Sequence, residues 1–191
     1  MNIERVSKKS ATQTVALLDD LHVSLLGISS HHLMTVVVND GIRDAIDCRI
    51  ACDQGEAKGV VIAAPASYWR SLPAKHWEIA LASVRVRLAG HPASSPAVVP
   101  SETHALMQAG VPPRTWRNPG DAWRIIFVGT AADARGKGIA AQLYQSVMAD
   151  RSLVARVALD NTASIRLHHS LGWRLYRDGG VALAVHVREK A

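Results

Sequence analysis

The stretch from Trp123 to Leu143 constrains this chain more than any other. It opens as Trp-Arg-Ile-Ile-Phe-Val-Gly-Thr, passes through Ala-Ala-Asp-Ala, and continues as Arg-Gly-Lys-Gly-Ile-Ala-Ala-Gln-Leu. The first part is apolar, β-branched and aromatic, which predicts a buried strand. From Ile139 the apolar positions recur as Ile139, Leu143 and Val147, the stripe of an amphipathic helix. Arg135, Gly136, Lys137 and Gly138 lie between the two. Glycines there permit backbone angles closed to other residues and let a ligand approach the main chain. A strand that feeds a glycine-rich turn at a helix N-terminus is built for an anion, because the first helical amides have no intrahelical partners and the helix dipole adds partial positive charge.

Arg135-x-x-Gly138-x-Ala140 resembles the Arg/Gln-x-x-Gly-x-Gly/Ala signature of the GNAT superfamily of acyl-CoA-dependent N-acetyltransferases. A second stretch, Asn161-Thr-Ala-Ser164-Ile165-Arg-Leu167-His168-His-Ser-Leu171-Gly172-Trp173, is similar to the family's Asn-x-x-Ala-x-x-Leu-Tyr-x-x-Leu-Gly-Phe. The resemblance covers roughly residues 123–177. It implies an α/β (α+β) fold with a mixed, mainly antiparallel central sheet, flanking helices and a splayed central strand. On that basis residues 1–191 form a single domain with an insertion at about 67–121.

Two other phosphate motifs compete for the loop. A Walker loop needs Ser or Thr after its lysine, and Gly138-Ile139-Ala140 stands there instead. A dinucleotide fingerprint needs a third glycine where Ala141 sits, although Asp160 falls at a tolerable distance. A structural turn without a ligand is the plain alternative.

At 191 residues the chain suits one well-cored domain. No apolar run approaches the roughly 20 residues of a membrane span, and Met-Asn-Ile-Glu-Arg is no signal-peptide start, so a cytoplasmic location is expected. The formal charge of +6 is scattered, without the basic runs or basic-aromatic ladder of a nucleic-acid binder. Nucleic acid is therefore not an expected partner, while a polyanionic small molecule such as CoA suits the surplus. Cys48 and Cys52 alternate with Ile46 and Ile50, which puts both thiols on one face of a strand, with packing as their role; no metal site is expected.

Along the chain, Ile3 to Val6 reads as a first strand. Ser10-x-x-Gln13 has the form of a capping box, with Val15, Leu18, His22 and Leu25 at helical spacing and Gly27 as the stop. Leu33 to Val38 is ambiguous: its β-branched residues favour a strand, and the resemblance implies a helix. Asn39-Asp40-Gly41 reads as a turn, Ala45 to Cys52 as a strand, Asp53 to Glu56 as a hairpin turn, and Lys58 to Ala64 as the returning strand. In the insertion, Lys75 to Leu88 has helical periodicity, 91–100 is a Pro-rich loop, and Ser101 to Ala109 is a short helix. The insertion is a candidate for acceptor recognition, for an oligomer contact such as a homodimer, or for a surface decoration. Leu153 to Leu159 reads as a strand. Asp160 or Asn161 caps a helix whose stripe is Ala163, Leu167 and Leu171, with His168 at its border and Gly172 as the stop. Trp173 to Tyr176 and Val181 to Val187 read as a closing hairpin.

The resemblance also implies the chemistry. Acetyl-CoA is the co-substrate and a primary amine of a small molecule or protein is the acceptor, with direct transfer and no covalent enzyme intermediate. Val128, Gly129 and Thr130 would meet the pantetheine arm, with an amide near Val128 facing the thioester carbonyl. Arg135, Gly136, Lys137, Gly138, Ile139 and Ala140 would hold the diphosphate, and Asn161 and Ser164 would border the ligand. His168 takes the slot of the family's sulfur-facing tyrosine, which makes it the candidate acid. The family's frequent strand glutamate is missing from Trp123 to Thr130, leaving Asp121, Glu102, His104 and His22 as unranked candidates for a base. Two other readings stay open: an amino-sugar N-acetyltransferase of polysaccharide synthesis, and a non-catalytic acyl-CoA sensor.

Overall fold

A computed structural model describes residues 1–21, 31–68, 71, 101–108, 123–149 and 151–188. Its elements run β1 (Asn2–Arg5), α1 (Ala11–Asp20), α2 (His31–Ile42), β2 (Asp47–Asp53), β3 (Glu56–Pro65), α3 (Ser101–Ala105), β4 (Trp123–Thr130), a 3-10 turn (Ala132–Ala134), α4 (Ile139–Met148), β5 (Leu153–Ala158), α5 (Thr162–Ser170), β6 (Arg174–Asp178) and β7 (Val181–His186). The strands form one seven-stranded sheet in the order β1-β2-β3-β4-β5-β7-β6. Every pair is antiparallel except β4 with β5. The expected mixed, mainly antiparallel sheet is what the chain forms.

Both faces of the sheet are covered, so the central strands are apolar on both sides. On one face Ile46, Cys48, Ile50, Val60 and Ile62 pack under α1 and α2 with Leu18, Leu33 and Val37. On the other, Val61, Ala63, Leu153 and Ala155 pack under α4 and α5 with Ile139, Leu143 and Ile165. Cys48 is buried in the first cluster and Cys52 packs at its rim, the shared face that the alternation predicts.

Several local expectations change. Leu33 to Val38 is helical, because burial of Leu33, Met34, Val36, Val37 and Val38 outweighs the weak strand preference of its valines. Asn39, Asp40 and Gly41 continue that helix instead of turning. Gly41 is there for space: a Cβ would lie 2.6 Å from the Cβ of Cys48 and 2.9 Å from Cγ1 of Val6. The reversal comes later, with Asp44 at φ 58°, and β2 starts at Asp47 rather than Ala45. Ser10 does begin α1, but no capping box forms. Its hydroxyl accepts from the Ser7 amide at 3.0 Å and caps no helical amide. The expected α1 extension through His22, Leu25 and Gly27 lies outside the described residues, as do Lys75–Leu88 and 91–100.

Two described parts of the insertion are tied to the rest of the fold. The hydroxyl of Tyr68 donates to Asp40 of α2 at 2.8 Å. Further along, Leu106 and Met107 pack against the α4/α5-side core, and the Gln108 amide donates to Leu175 of β6 at 2.8 Å.

A charged clasp holds the N-terminal ends of β4 and β5 together. Asp47 is fully buried and accepts Nε and Nη2 of Arg49, both at 2.9 Å, with Arg151 at 3.2 Å. Arg49 also donates to the Ser146 carbonyl of α4, and the Arg151 guanidinium lies 3.9 Å over the Trp123 ring. Removing the acid would take the carboxylate partner from two largely covered guanidinium groups. Asp47→Ala is expected to lower stability by about 3 kcal/mol, the low end for a broken buried pair, because Arg49 and Arg151 keep 16% and 18% exposure. Urea unfolding measures this, and a loss below about 0.5 kcal/mol, the level of an ordinary surface substitution, would show that the clasp is dispensable.

Candidate active site

The site begins where β4 leaves β5. Their parallel ladder covers only Trp123, Arg124 and Ile125 against Leu153, Val154 and Ala155. Beyond it, among the described residues, β4 pairs with β3 alone and β5 with β7 alone. The cause is local. In the β3–β4 ladder Ile62 faces Phe127 while Ala63 faces Ile125, so Ile126 is an extra residue in β4. A bulge bends and twists the strand that carries it, and this one sits at the residue after the β4–β5 ladder ends.

The hydrogen-bond phase of β4 then decides which amides face the gap. The Ala131 amide donates to the Lys58 carbonyl at 2.9 Å. Bonded and non-bonded pairs alternate in an antiparallel ladder, so Gly129 and Phe127 bond to β3 while Thr130 and Val128 turn their N–H and C=O groups away from it. Val128 and Thr130 thus present backbone groups to the gap. Gly129 does something else: a Cβ there would meet the Phe127 ring at 2.6 Å and Leu21 at 2.8 Å, so its bareness accommodates side chains.

At the end of the gap lies the glycine loop. Arg135, Gly136, Lys137 and Gly138 are exposed, and Gly136 and Gly138 have φ of 76° and 73°. Gly138 is the N-cap of α4 and has no side chain to cap it. The first bond back to it comes from Gln142, leaving the amides of Ile139, Ala140 and Ala141 without intrahelical acceptors. Ile139 itself is buried and seats the helix, so its contribution to an anion is its amide. These features fit a diphosphate: free amides, a helix N-terminus, two flanking cations and a backbone with no Cβ above it.

Across the gap, Asn161 caps α5 by accepting from the Ser164 amide at 3.1 Å. The buried face of this helix carries Ile165 and His168, while Ala163 is exposed and Leu167 and Leu171 are half-buried. The apolar stripe expected from Ala163, Leu167 and Leu171 is rotated, and His168 sits at the centre of the buried face. It can do so because its Nδ1–H donates to the Ser164 carbonyl at 2.7 Å and its ring lies edge-on to Tyr144 and Trp173, each 4.8 Å away. Burial pushes its pKa below the usual histidine value, against the raising effect of that carbonyl. His168 is therefore a neutral imidazole with a bare lone pair on Nε2, which has no hydrogen-bond partner among the described residues. Tyr144, which sequence reading passed over, is held as a phenol by burial.

Of the four base candidates, two fall among the described residues. His22 and Asp121 lie outside the described residues. Glu102 and His104 fall in α3, beside α5, and His104 is exposed. Among the described residues no group of three or more His, Cys, Asp or Glu could hold a metal. No described helix is long and apolar enough to cross a membrane.

Residues 99–173 match the model of the acetyltransferase (GNAT) family. No curated protein sequence matches the chain. The fold is similar to that of yncA from Salmonella typhimurium, solved with its cofactor acetyl-CoA, at a TM-score of 0.59 and 14% identity over 100% of this chain and 96% of the other. It is similar to ribosomal-protein-alanine N-acetyltransferase from Brucella melitensis at 0.58 and 15%, over 98% and 100%. Arabidopsis thaliana NAA60 in complex with acetyl-CoA aligns at 0.57 and 16%, over 97% of each chain.

Gly138 gives the most direct test of the loop. Its surroundings leave room for a side chain, with nothing within 4 Å of a Cβ, but its left-handed backbone disfavours one, and a β-branched one most. Gly138→Val is expected to stay folded and to lose at least tenfold in acetyl-CoA affinity, about 1.4 kcal/mol. Calorimetric titration of a folded variant with unchanged affinity would remove the loop from the binding site.

Proposed function

From the match of residues 99–173 to the GNAT acetyltransferase model and the fold similarity to N-acetyltransferases, we propose that this protein transfers an acetyl group from acetyl-CoA to a primary amine of a small molecule or protein. The observation that carries this reading is the phase of β4: Val128 and Thr130 turn backbone donors and acceptors into a gap that leads to the free amides of α4. Acetyl-CoA supplies the activated acyl group as a thioester. The chain's residues hold and polarise it. Val128 and Thr130 pair with the pantetheine amides as a missing strand would, and the Val128 amide donates to the thioester carbonyl, where negative charge grows. Arg135, Gly136, Lys137, Gly138, Ile139 and Ala140 bind the diphosphate. Asn161 and Ser164 border the ligand from α5.

His168 enters as a proton acceptor first. In its neutral Nδ1–H form it has no proton on Nε2 to give. Nε2 is covered, so this role requires the thioester and the amine to seat against it; it then takes the proton that the attacking amine sheds and returns it to the sulfur as the C–S bond breaks. Ser164 holds the tautomer that makes this order necessary. The insertion, anchored on α2 and β6, is the acceptor-recognition element, and the 1–191 chain acts as one domain.

CoA release in the presence of a panel of amines, amino sugars included, tests the reading. Release with at least one amine is expected. Acetyl-CoA binding with no release from any amine would return the acyl-CoA sensor instead. Within that assay, His168→Phe preserves the ring packing against Tyr144 and Trp173 and is expected to cut kcat roughly tenfold to a hundredfold, with acetyl-CoA affinity unchanged. Wild-type turnover would make His168 a packing residue.

A further inference from the structure

The loop proposed to bind a diphosphate contains a carboxylate. Residues 131–138 read Ala-Ala-Asp-Ala-Arg-Gly-Lys-Gly, and Asp133 is the one acidic side chain among them. Left to itself, that charge would oppose the ligand which the free amides, Arg135 and Lys137 attract.

Lys58 meets it. Its Nζ lies 2.7 Å from Asp133 and 2.8 Å from Glu56. Its backbone carbonyl accepts the Ala131 amide at 2.9 Å, so one residue grips this loop through both main chain and side chain. The aim of the side chain comes from the ladder. Ala51 of β2 faces Gly59 while Cys52 faces Ala57, so Lys58 is the extra residue of a bulge in β3, a device that re-aims a side chain. The Lys58 side chain is largely covered, at 18% exposure, whereas Asp133 and Glu56 stay open to water. Asp133 is held below the usual carboxylate range by its bond to Lys58, and the charge of Lys137 acts in the same direction. Asp133 therefore stays ionised and needs a neutralising partner rather than a proton.

We propose that Lys58 is a positioning residue for acyl-CoA binding, which acts through Asp133 by neutralising the loop's carboxylate and holding it on the β3 side, away from the amides of α4. This rests on the diphosphate-loop reading given above. Lys58 itself need not touch the ligand. Its effect is electrostatic, so it weakens with salt.

The test is calorimetric titration of the full-length protein with CoA at low and high salt. Lys58→Met is expected to weaken CoA binding about threefold to tenfold at low salt, with a smaller deficit at high salt. Asp133→Asn alone is expected to bind CoA at least as tightly as the wild type. The double variant Lys58→Met/Asp133→Asn is expected to recover wild-type affinity, which a merely mechanical latch would not give. Lys58→Met binding as the wild type does, or Asp133→Asn binding as weakly as Lys58→Met, or a double variant no better than Lys58→Met, would each overturn the proposal. Acetyl-pantetheine, which lacks the phosphates, is expected to have equal KM with wild type and Lys58→Met; a matching loss would overturn it as well. A wild type that binds no CoA would overturn the diphosphate-loop reading itself, whereas CoA binding that is indifferent to Lys58 would overturn this inference alone.

Discussion

Backbone hydrogen bonding along β4 sets where the sheet opens. A strand inside a sheet has two edges of donors and acceptors to satisfy. β4 satisfies both only as far as Ile125. After the bulge at Ile126 one edge keeps β3 and, among the described residues, the other has no strand beside it. The two ends of β4 are held differently, and this makes the departure abrupt. At the closed end, the Asp47 clasp reaches β2, α4 and the connection to β5, with Arg151 stacked on Trp123. At the open end, Lys58 fastens the loop after β4 to β3 and leaves β5 untouched.

The chemistry of the open end follows from what each residue has left to offer. Val128 and Thr130 offer backbone groups because their neighbours have spent theirs on β3. The first turn of α4 offers amides because Gly138 has no side chain with which to cap them. Asn161, by contrast, spends its carbonyl oxygen on Ser164. His168 spends one nitrogen on a backbone carbonyl and keeps a lone pair on the other. Neither cysteine lies in these elements. In the proposed transfer, an acceptor placed against this site meets an acyl group that is already held and polarised.

What the sequence made legible was what is local. The apolar run of β4, the glycines after it and the stripe of Ile139, Leu143 and Val147 are contiguous, and the strand, turn and helix follow them closely. Asn161 was readable as a cap because its partner is three residues away. Features set by distant partners were not. Gly41 looks like a turn residue until Cys48 and Val6 are seen to need its missing Cβ. Ser10 looks like a capping-box residue until its hydroxyl is found with Ser7. His168 looks like the border of a stripe, because a polar residue is not expected at the centre of a buried face without its carbonyl and aromatic partners. The Lys58–Asp133 pair joins residues 75 positions apart, which no local pattern signals. The bulge at Ile126 is also invisible in the apolar run, although the gap depends on it.

Phe127 and Gly129 are committed to β3, and the proposed acyl-CoA site uses the backbone groups that Val128 and Thr130 turn away from it. Amide hydrogen exchange, resolved by residue and measured with and without saturating acetyl-CoA, tests this most directly. The Phe127 and Gly129 amides are expected to be protected in both states, and Val128 and Thr130 to gain protection only when acetyl-CoA is present. Equal exchange at Val128 and Thr130 in the two states, in a protein shown to bind acetyl-CoA, would contradict it.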